Sequence, residues 1–345
     1  MTSATLDAAI RPASLRPIAY WLIGCAGMVF AMALIGAITR LTESGLSITE
    51  WKPITGALPP LGEPAWLAEF AKYQATPEFQ LKHSYMTLAD FKAIFFWEWL
   101  HRLWGRLIGL VFAVPFLWLW ATGRVPRALV PRLIGLLALG GLQGGIGWFM
   151  VKSGLADRPD VSHYRLALHL VTALVIYALL LWVAIGLLRE GDGAAPAVRR
   201  HGWIGLAMLS VTIVWGAFVA GLDAGQAYNS WPLMDGRFAP PEMWSILPVW
   251  LNPTENTAMV QFLHRWLAMA TAIVVFAFAW GLRHAHRVAW WLAFAVMGQV
   301  LLGITTLLLQ VPVALGTAHQ AGAITVLTLL VWLLASIRPR VRPAA

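Results

Sequence analysis

The chain has 345 residues, of which 59% are hydrophobic and only 12% charged, with a mean hydropathy of +0.69. A soluble domain of that balance would lack the polar surface to cover itself, so the composition points to a multi-span membrane protein. The formal net charge of +9 invites a nucleic-acid reading, but the arginines sit in short loops between apolar runs, and no nucleic-acid partner is expected.

The single cysteine, Cys25, lies inside the first apolar run. No disulfide, zinc cluster or iron–sulfur cluster can be built within one chain. Arg11 and Arg16 precede that run, but no short apolar core with a small-residue cleavage site follows, so the run reads as a retained span. Apolar stretches of spanning length fall at about 18–38, 93–121, 129–150, 162–188, 201–221, 259–281, 288–310 and 313–336. The break between the last two rests on Val311 and Pro312. The expected fold is an all-α integral membrane protein with eight transmembrane helices.

Arg11 and Arg16 precede span one, Arg124, Arg127 and Arg132 separate spans two and three, and Arg189, Arg199 and Arg200 separate four and five. Arg283 and Arg287 separate six and seven, and Arg338, Arg340 and Arg342 follow span eight. Alternating spans put all of these on one side, which the positive-inside rule assigns to the cytoplasm together with both termini. Two long loops, about 39–92 and 222–258, then face outward, and 65–82 within the first has the character of a short surface helix. Trp51, Trp97, Trp99, Trp231, Trp244 and Trp250 read as an interfacial belt.

The halves repeat. Gly36, Ala37, Gly45, Trp51, Gly56 and Pro60 recur as Gly216, Ala217, Gly225, Trp231, Gly236 and Pro240, a constant offset of 180 residues (216 minus 36, 240 minus 60). His101-Arg102 recurs as His264-Arg265, Gln143 and Gly147 as Gln299 and Gly303, and His169 as His319. The pattern implies two pseudo-symmetric four-helix bundles, one in residues 1–190 and one in 191–345.

Of nine histidines, His201, His284 and His286 sit at cytoplasmic ends and His83 in the outer loop, where all four read as solvated. His163 begins span four and is ambiguous. His101, His169, His264 and His319 lie within even-numbered spans, about 8–15 Å from their outer ends at 1.5 Å rise per residue. A lone buried histidine is most simply a hydrogen-bonded core residue. Two per bundle at matching depth suit a porphyrin held between facing imidazoles. Zinc or copper would want three or four ligands, and only Glu98 could add a third. Glu98 shares a helical face with His101 in the first bundle, whereas Gln261 stands at that position in the second. A carboxylate can move a proton and an amide cannot ionise. The first bundle therefore reads as chemically active and the second as a redox or structural haem site. Arg102, Arg106 and Arg265 are candidates for haem propionates, although Arg102 points about 100° away from His101 around the helix. Two rivals use parts of the same pattern: a non-catalytic bis-histidine, quinol-linked cytochrome, and a transporter built on internal repeats.

GAITRLTESGLSITEWKPITGALPP (Gly36 to Pro60) and FWEWLHRLWGRLIG (Phe96 to Gly109) resemble the first outer loop and second helix of the haem A synthase family. LQGGIGWFMVKSGL, His169, FLHRW and GTAHQ follow in that family's order. The resemblance implies oxidation of the C8 methyl of haem O to a formyl group, by way of the hydroxymethyl compound haem I, to give haem A for cytochrome oxidase. It also implies a haem b cofactor on His264 and His319, substrate haem O on His101 and His169, and catalysis by Glu98. It further implies the bacterial inner membrane with both haem sites toward the periplasm, and contact with lipid, haem O synthase, cytochrome oxidase assembly factors or a second copy of the chain. The chain lacks the outer-loop cysteine pair of some members and is similar to the cysteine-free bacterial branch.

Overall fold

The computed structural model describes residues 15–52, 55–154 and 160–339. Arg11, Arg340 and Arg342 of the topology argument lie outside the described residues. Among these residues the structure is helical, and the sole extended pairing is an isolated bridge between Met234 and Arg237.

Among the described residues eight helices are long and apolar enough to cross a membrane. They are α1 (Arg16–Leu41), α2 (Leu88–Ala121), α3 (Val130–Gly154), α4 (His163–Leu188), α5 (Pro196–Gly221), α6 (Thr257–Leu282), α7 (Arg287–Leu308) and α8 (Val313–Ser336). Each corresponds to one expected span. Helix α2 has 34 residues, about 51 Å at 1.5 Å per residue, against a hydrocarbon core of about 30 Å. Its first turns therefore stand clear of the apolar layer, within the loop region.

Local chemistry places the ends. Thr87 and Asp90 form a reciprocal capping box at the start of α2. Asn256 caps α6 by accepting from the N–H groups of Ala258 and Met259. The expected break before α8 is a two-residue turn in which Gln310 and Val311 have φ of 60° and 55°. A β-branched residue is strained in that region, at a cost of about 1–3 kcal/mol. Val311 is held there by packing: a Cβ on Gly225 would lie 2.8 Å from its Cγ2.

Helix α1 packs on α2 and α4, α2 on α3, and α3 on α4, which closes one ring of four. In the same way α5 packs on α6 and α8, α6 on α7, and α7 on α8. Contacts between the rings run through α1–α8, α4–α5 and α4–α8. The main buried cluster, including Leu22, Phe116, Leu180, Val275 and Leu330, fills this shared centre. Exposed apolar residues such as Leu110, Val114, Trp291, Phe294 and Leu301 face outward, as contact with lipid requires.

The ends of α1, α3, α5 and α7 and the starts of the even helices gather at one end of the molecule with the two long loops. In the first loop a helix (Glu63–Gln74) and a π-helical turn (Phe79–His83) replace the single surface helix expected from sequence. The helix is not superficial. Tyr73 is fully buried with Phe91 and Phe95 of α2, and Trp66 and Phe70 pack against them.

Asn256 is itself buried, and its Nδ2 donates to Glu242 O, Ser245 Oγ and Asn252 Oδ1. Loss of a cap costs about 0.5–2 kcal/mol, and orphaned buried partners add to it. Asn256→Ala is therefore expected to lower the thermal midpoint in detergent further than Thr87→Ala, whose cap is exposed.

Candidate functional site: two histidine pairs and a loop clamp

All four intramembrane histidines sit on even-numbered helices, and each imidazole abuts a glycine of an odd-numbered one. A Cβ on Gly36 would come within 3.1 Å of His101 Cε1, and one on Gly147 within 2.9 Å of His169 Cε1. The corresponding distances are 3.0 Å for Gly216 and His264 and 2.7 Å for Gly303 and His319. At Gly147 and Gly303 these distances exclude a side chain, and at Gly36 and Gly216 a side chain would need the ring to shift, so each ring takes up space that a side chain would use. The ring centres of His101 and His169 are 6.3 Å apart with planes inclined by 39°. Two imidazoles binding one metal ion from opposite sides, each nitrogen about 2 Å from it, would have centres roughly 6 Å apart. The pair therefore fits a single iron. Among the described residues no group of three or more His, Cys, Asp or Glu is placed to hold a metal ion, so Glu98 does not complete a three-ligand site.

Three of the four imidazoles have a polar neighbour at Nδ1. Gln143 Nε2 lies 3.1 Å from His169 Nδ1 and donates to the His169 carbonyl at 3.0 Å. Gln299 repeats this at 3.1 Å and 2.9 Å toward His319. His264 donates its Nδ1–H to Thr212 O at 3.2 Å, which leaves its Nε2 lone pair free for a metal. His101 Nδ1 is buried without a hydrogen-bond partner. The pairs thus share a packing frame and differ in how firmly one ring of each is held.

Toward the loop-rich end from His101 lies Glu98, 3% exposed. Its Oε2 accepts from Ser47 Oγ and from Ile48 N, both at 2.7 Å. Its Oε1 accepts from Arg102 Nη2 at 2.6 Å and Nε at 3.1 Å. Arg102 also donates to the carbonyls of Ile48 and Glu50. In the second half Arg265 donates to the carbonyls of Tyr228 and Ser230 and to Gln261 Oε1. These carbonyls are the same ones displaced by 180 residues (228 minus 48, 230 minus 50). Gln261 Nε2 donates to Ala224 O and Tyr228 O. An acid that accepts in one half is thus replaced by an amide that donates in the other, in one bonding frame.

The COX15-CtaA family model, described as cytochrome oxidase assembly protein, matches residues 19–331. A heme A synthase of Rhodospirillum centenum is 60% identical over 99% of this chain and 95% of its own length. Heme A synthases of Parvibaculum lavamentivorans and Sinorhizobium fredii are 50% and 49% identical, over 91% and 90% of this chain and 92% and 87% of their own. The chain belongs to the COX15-CtaA family.

In this family member several expected roles change. His83 is not solvated: it is 3% exposed and bonded to Tyr73 and Glu43, because the loop folds into a packed layer over α2. His163 is buried against the Tyr164 and Phe218 rings, with Glu255 at 3.8 Å. His284 is exposed and His286 partly so, as expected, while His201 bonds to Val274 O. Arg102, Arg106 and Arg265, candidates for propionates, each bind loop carbonyls, Arg106 that of Lys52. Trp51, Trp244 and Trp250 are exposed, in keeping with a belt, but Trp99 donates to Ala57 O and serves the loop. The four glycines and two glutamines carried a sequence signal, their place in the repeat, but only the fold shows that they touch the histidines.

Gly303→Val is expected to push His319 out of position. Overpacking of this kind costs about 1–3 kcal/mol, roughly a fivefold to hundredfold loss of affinity. Haem content of purified Gly303→Val should fall accordingly, whereas Gly298→Ala, with open space around its Cα, should leave it unchanged.

Proposed function

We propose that the chain is a haem A synthase that oxidises the C8 methyl of haem O, through the hydroxymethyl compound haem I, to the formyl group of haem A. Identity to heme A synthases over nearly the whole chain supports the reaction. Two histidine pairs in one packing frame support two haem sites. The arginine-rich loops at the end opposite the clamps support a cytoplasmic placement of that end. The protein would then sit in the bacterial inner membrane with both sites toward the periplasm. The helix contacts support two pseudo-symmetric bundles divided at about residue 190.

His264 and His319 fit a resident haem b: Gly216 and Gly303 clear space for their rings, and the Thr212 carbonyl presets the His264 tautomer. Bound there, haem b supplies electron transfer. His101 and His169 receive the iron of haem O, the substrate. The unpartnered Nδ1 of His101 suits a looser hold, which a substrate that must leave requires. Haem O and lipid are the expected ligands, with haem O synthase, assembly factors and a second copy of the chain as protein partners.

The catalytic assignment is carried by one observation. Gln261 makes the clamp work with a neutral amide, so the fold alone does not demand a charge at Glu98. A buried carboxylate is expensive to place, and at this depth it is available to take up a proton or stabilise positive charge near the methyl carbon. Reading the protein as a quinol-linked cytochrome leaves this difference without a cause. The spanning helices run unbroken, unlike the interrupted helices typical of transporters with repeats.

The test is expression in a host that makes haem O but no haem A, followed by chromatography and mass analysis of the extracted haems. Wild type should yield haem b with haem A or haem I. Glu98→Gln should fold, retain haem b and lower haem A formation about 100-fold, within the usual range for a lost acid–base group. A normal rate in that variant would remove Glu98 from the chemistry, and haem b alone in wild type would favour the cytochrome.

A further inference from the structure

The loop between α1 and α2 holds a second line of ionisable groups that the reading above leaves without a task. Glu78 is 5% exposed, His83 is 3% exposed, and Tyr73 between them is fully enclosed. Tyr73 Oη lies 3.0 Å from Glu78 Oε2 and 2.7 Å from His83 Nδ1, and His83 Nε2 lies 3.0 Å from Glu43 Oε2. The Glu43 side chain is 42% exposed, so this end of the line meets solvent. Lys82, bonded to Asp160 at 2.5 Å, stands 3.7 Å from Glu43 at the same mouth.

Proton counting shows what the line holds. A phenol has one hydrogen to donate. Suppose Tyr73 donates to a Glu78 carboxylate. Its oxygen then accepts from His83 Nδ1–H, and His83 needs a second proton on Nε2 to bond the Glu43 carboxylate, so His83 is an imidazolium. Suppose instead that Glu78 is the acid and donates to Tyr73. Tyr73 then donates to His83 Nδ1, and a neutral His83 donates Nε2–H to Glu43. The two arrangements contain the same atoms and the same number of protons. They interconvert when the His83 Nδ1 proton passes to Tyr73 Oη as the Tyr73 hydrogen passes to Glu78 Oε2. With one proton fewer, one of the three bonds fails. The line therefore stores one transferable proton, which resides on the His83 imidazole, next to the exposed Glu43, or on the Glu78 carboxyl.

Glu78 is suited to be the inner station. Burial pushes its carboxyl up to about 8 against the opposing Tyr73 bond, and the like charges of Glu98, Glu43 and Asp160 add to the rise. Burial also raises the Tyr73 phenol, with Glu78, Glu98 and Glu43 contributing, so the ring passes a proton without ionising. Ile48, whose N–H donates to Glu98, also packs against the cluster that holds Tyr73, which sets the line alongside the clamp.

We propose that Glu43, His83, Tyr73 and Glu78 form a proton relay between solvent at the loop-rich end and the buried layer beside the Glu98–Arg102 clamp, serving the proton traffic of haem oxidation. The second half of this proposal rests on the synthase reading, since turning a methyl into a formyl group changes its carbon-bound hydrogens and so moves protons between the site and water. None of the four residues need touch the substrate.

The experiment uses the purified full-length protein with two readouts. Infrared titration should show a carboxylic-acid C=O band in wild type that fades as pH passes about 8. The band should be absent in Glu78→Gln and displaced in Tyr73→Phe, which deletes one oxygen and keeps the ring. The pH profile of haem A formation should lose its inflection in both variants, with turnover slowed about tenfold and haem b content retained; Glu78→Asp should recover part of the rate. Glu43→Gln, at the exposed end, should slow turnover likewise without disturbing the buried packing. A band that survives Glu78→Gln, or profiles of Tyr73→Phe and Glu43→Gln that superimpose on wild type, would overturn the relay. If wild type itself forms no haem A, the link to oxidation falls, and the infrared titration still decides whether the line carries the proton.

Discussion

An imidazole packed against a residue without a side chain is the contact on which the rest of this structure depends. It occurs four times, and each time it ties an even helix to its odd neighbour: α2 to α1, α4 to α3, α6 to α5 and α8 to α7. In lipid, helices gain little from hiding apolar surface from one another, so close packing around small residues and a few polar bonds determine how they associate. The glycines serve both ends. They let two helices approach, and they spend the space gained on an imidazole instead of on a hydrocarbon. Once those contacts are made, the depth and facing of each histidine pair follow from helix geometry.

The second constraint is polar and lies one turn closer to the loops. Arg102 and Arg265 each bind two carbonyls of the loop that precedes their helix, so backbone that would otherwise be unsatisfied near the membrane is held against α2 and α6. Removing one partner from a buried ion pair costs about 3–5 kcal/mol because the other charge is stranded. The second half meets the same geometric need with a neutral amide. The contrast between Glu98 and Gln261 is therefore an acid against an amide, and it separates the two halves where the arginine-to-carbonyl contacts agree.

The length of α2 explains why the first loop is more than a connection. Its leading turns rise above the apolar layer and offer Phe91, Ile94 and Phe95 as a surface on which the helix Glu63–Gln74 folds. That packing encloses Tyr73 and, with it, Glu78 and His83. A polar line in so dry a setting persists only if each member finds a partner, and here the partners run in sequence toward water. The loop is thus a packed layer on α2 with a hydrogen-bonded polar line inside it.

Much was legible in the residues alone. Eight apolar runs dictated eight helices, because backbone in lipid must satisfy its own hydrogen bonds. The repeat of His101, His169, Gln143 and Gly147 as His264, His319, Gln299 and Gly303 marked residues that the fold packs together, and the exchange of Glu98 for Gln261 marked where the halves differ. What the sequence did not disclose depends on contacts between residues far apart in the chain. Ser47 and Ile48 reach Glu98 across 51 and 50 positions, and Tyr73, Glu78, His83 and Glu43 converge only when the loop packs. His83 looked solvated because a loop histidine carries no periodic signal of burial. Periodicity and hydropathy report how one segment meets its surroundings, and only the tertiary structure decides which side chains those surroundings contain.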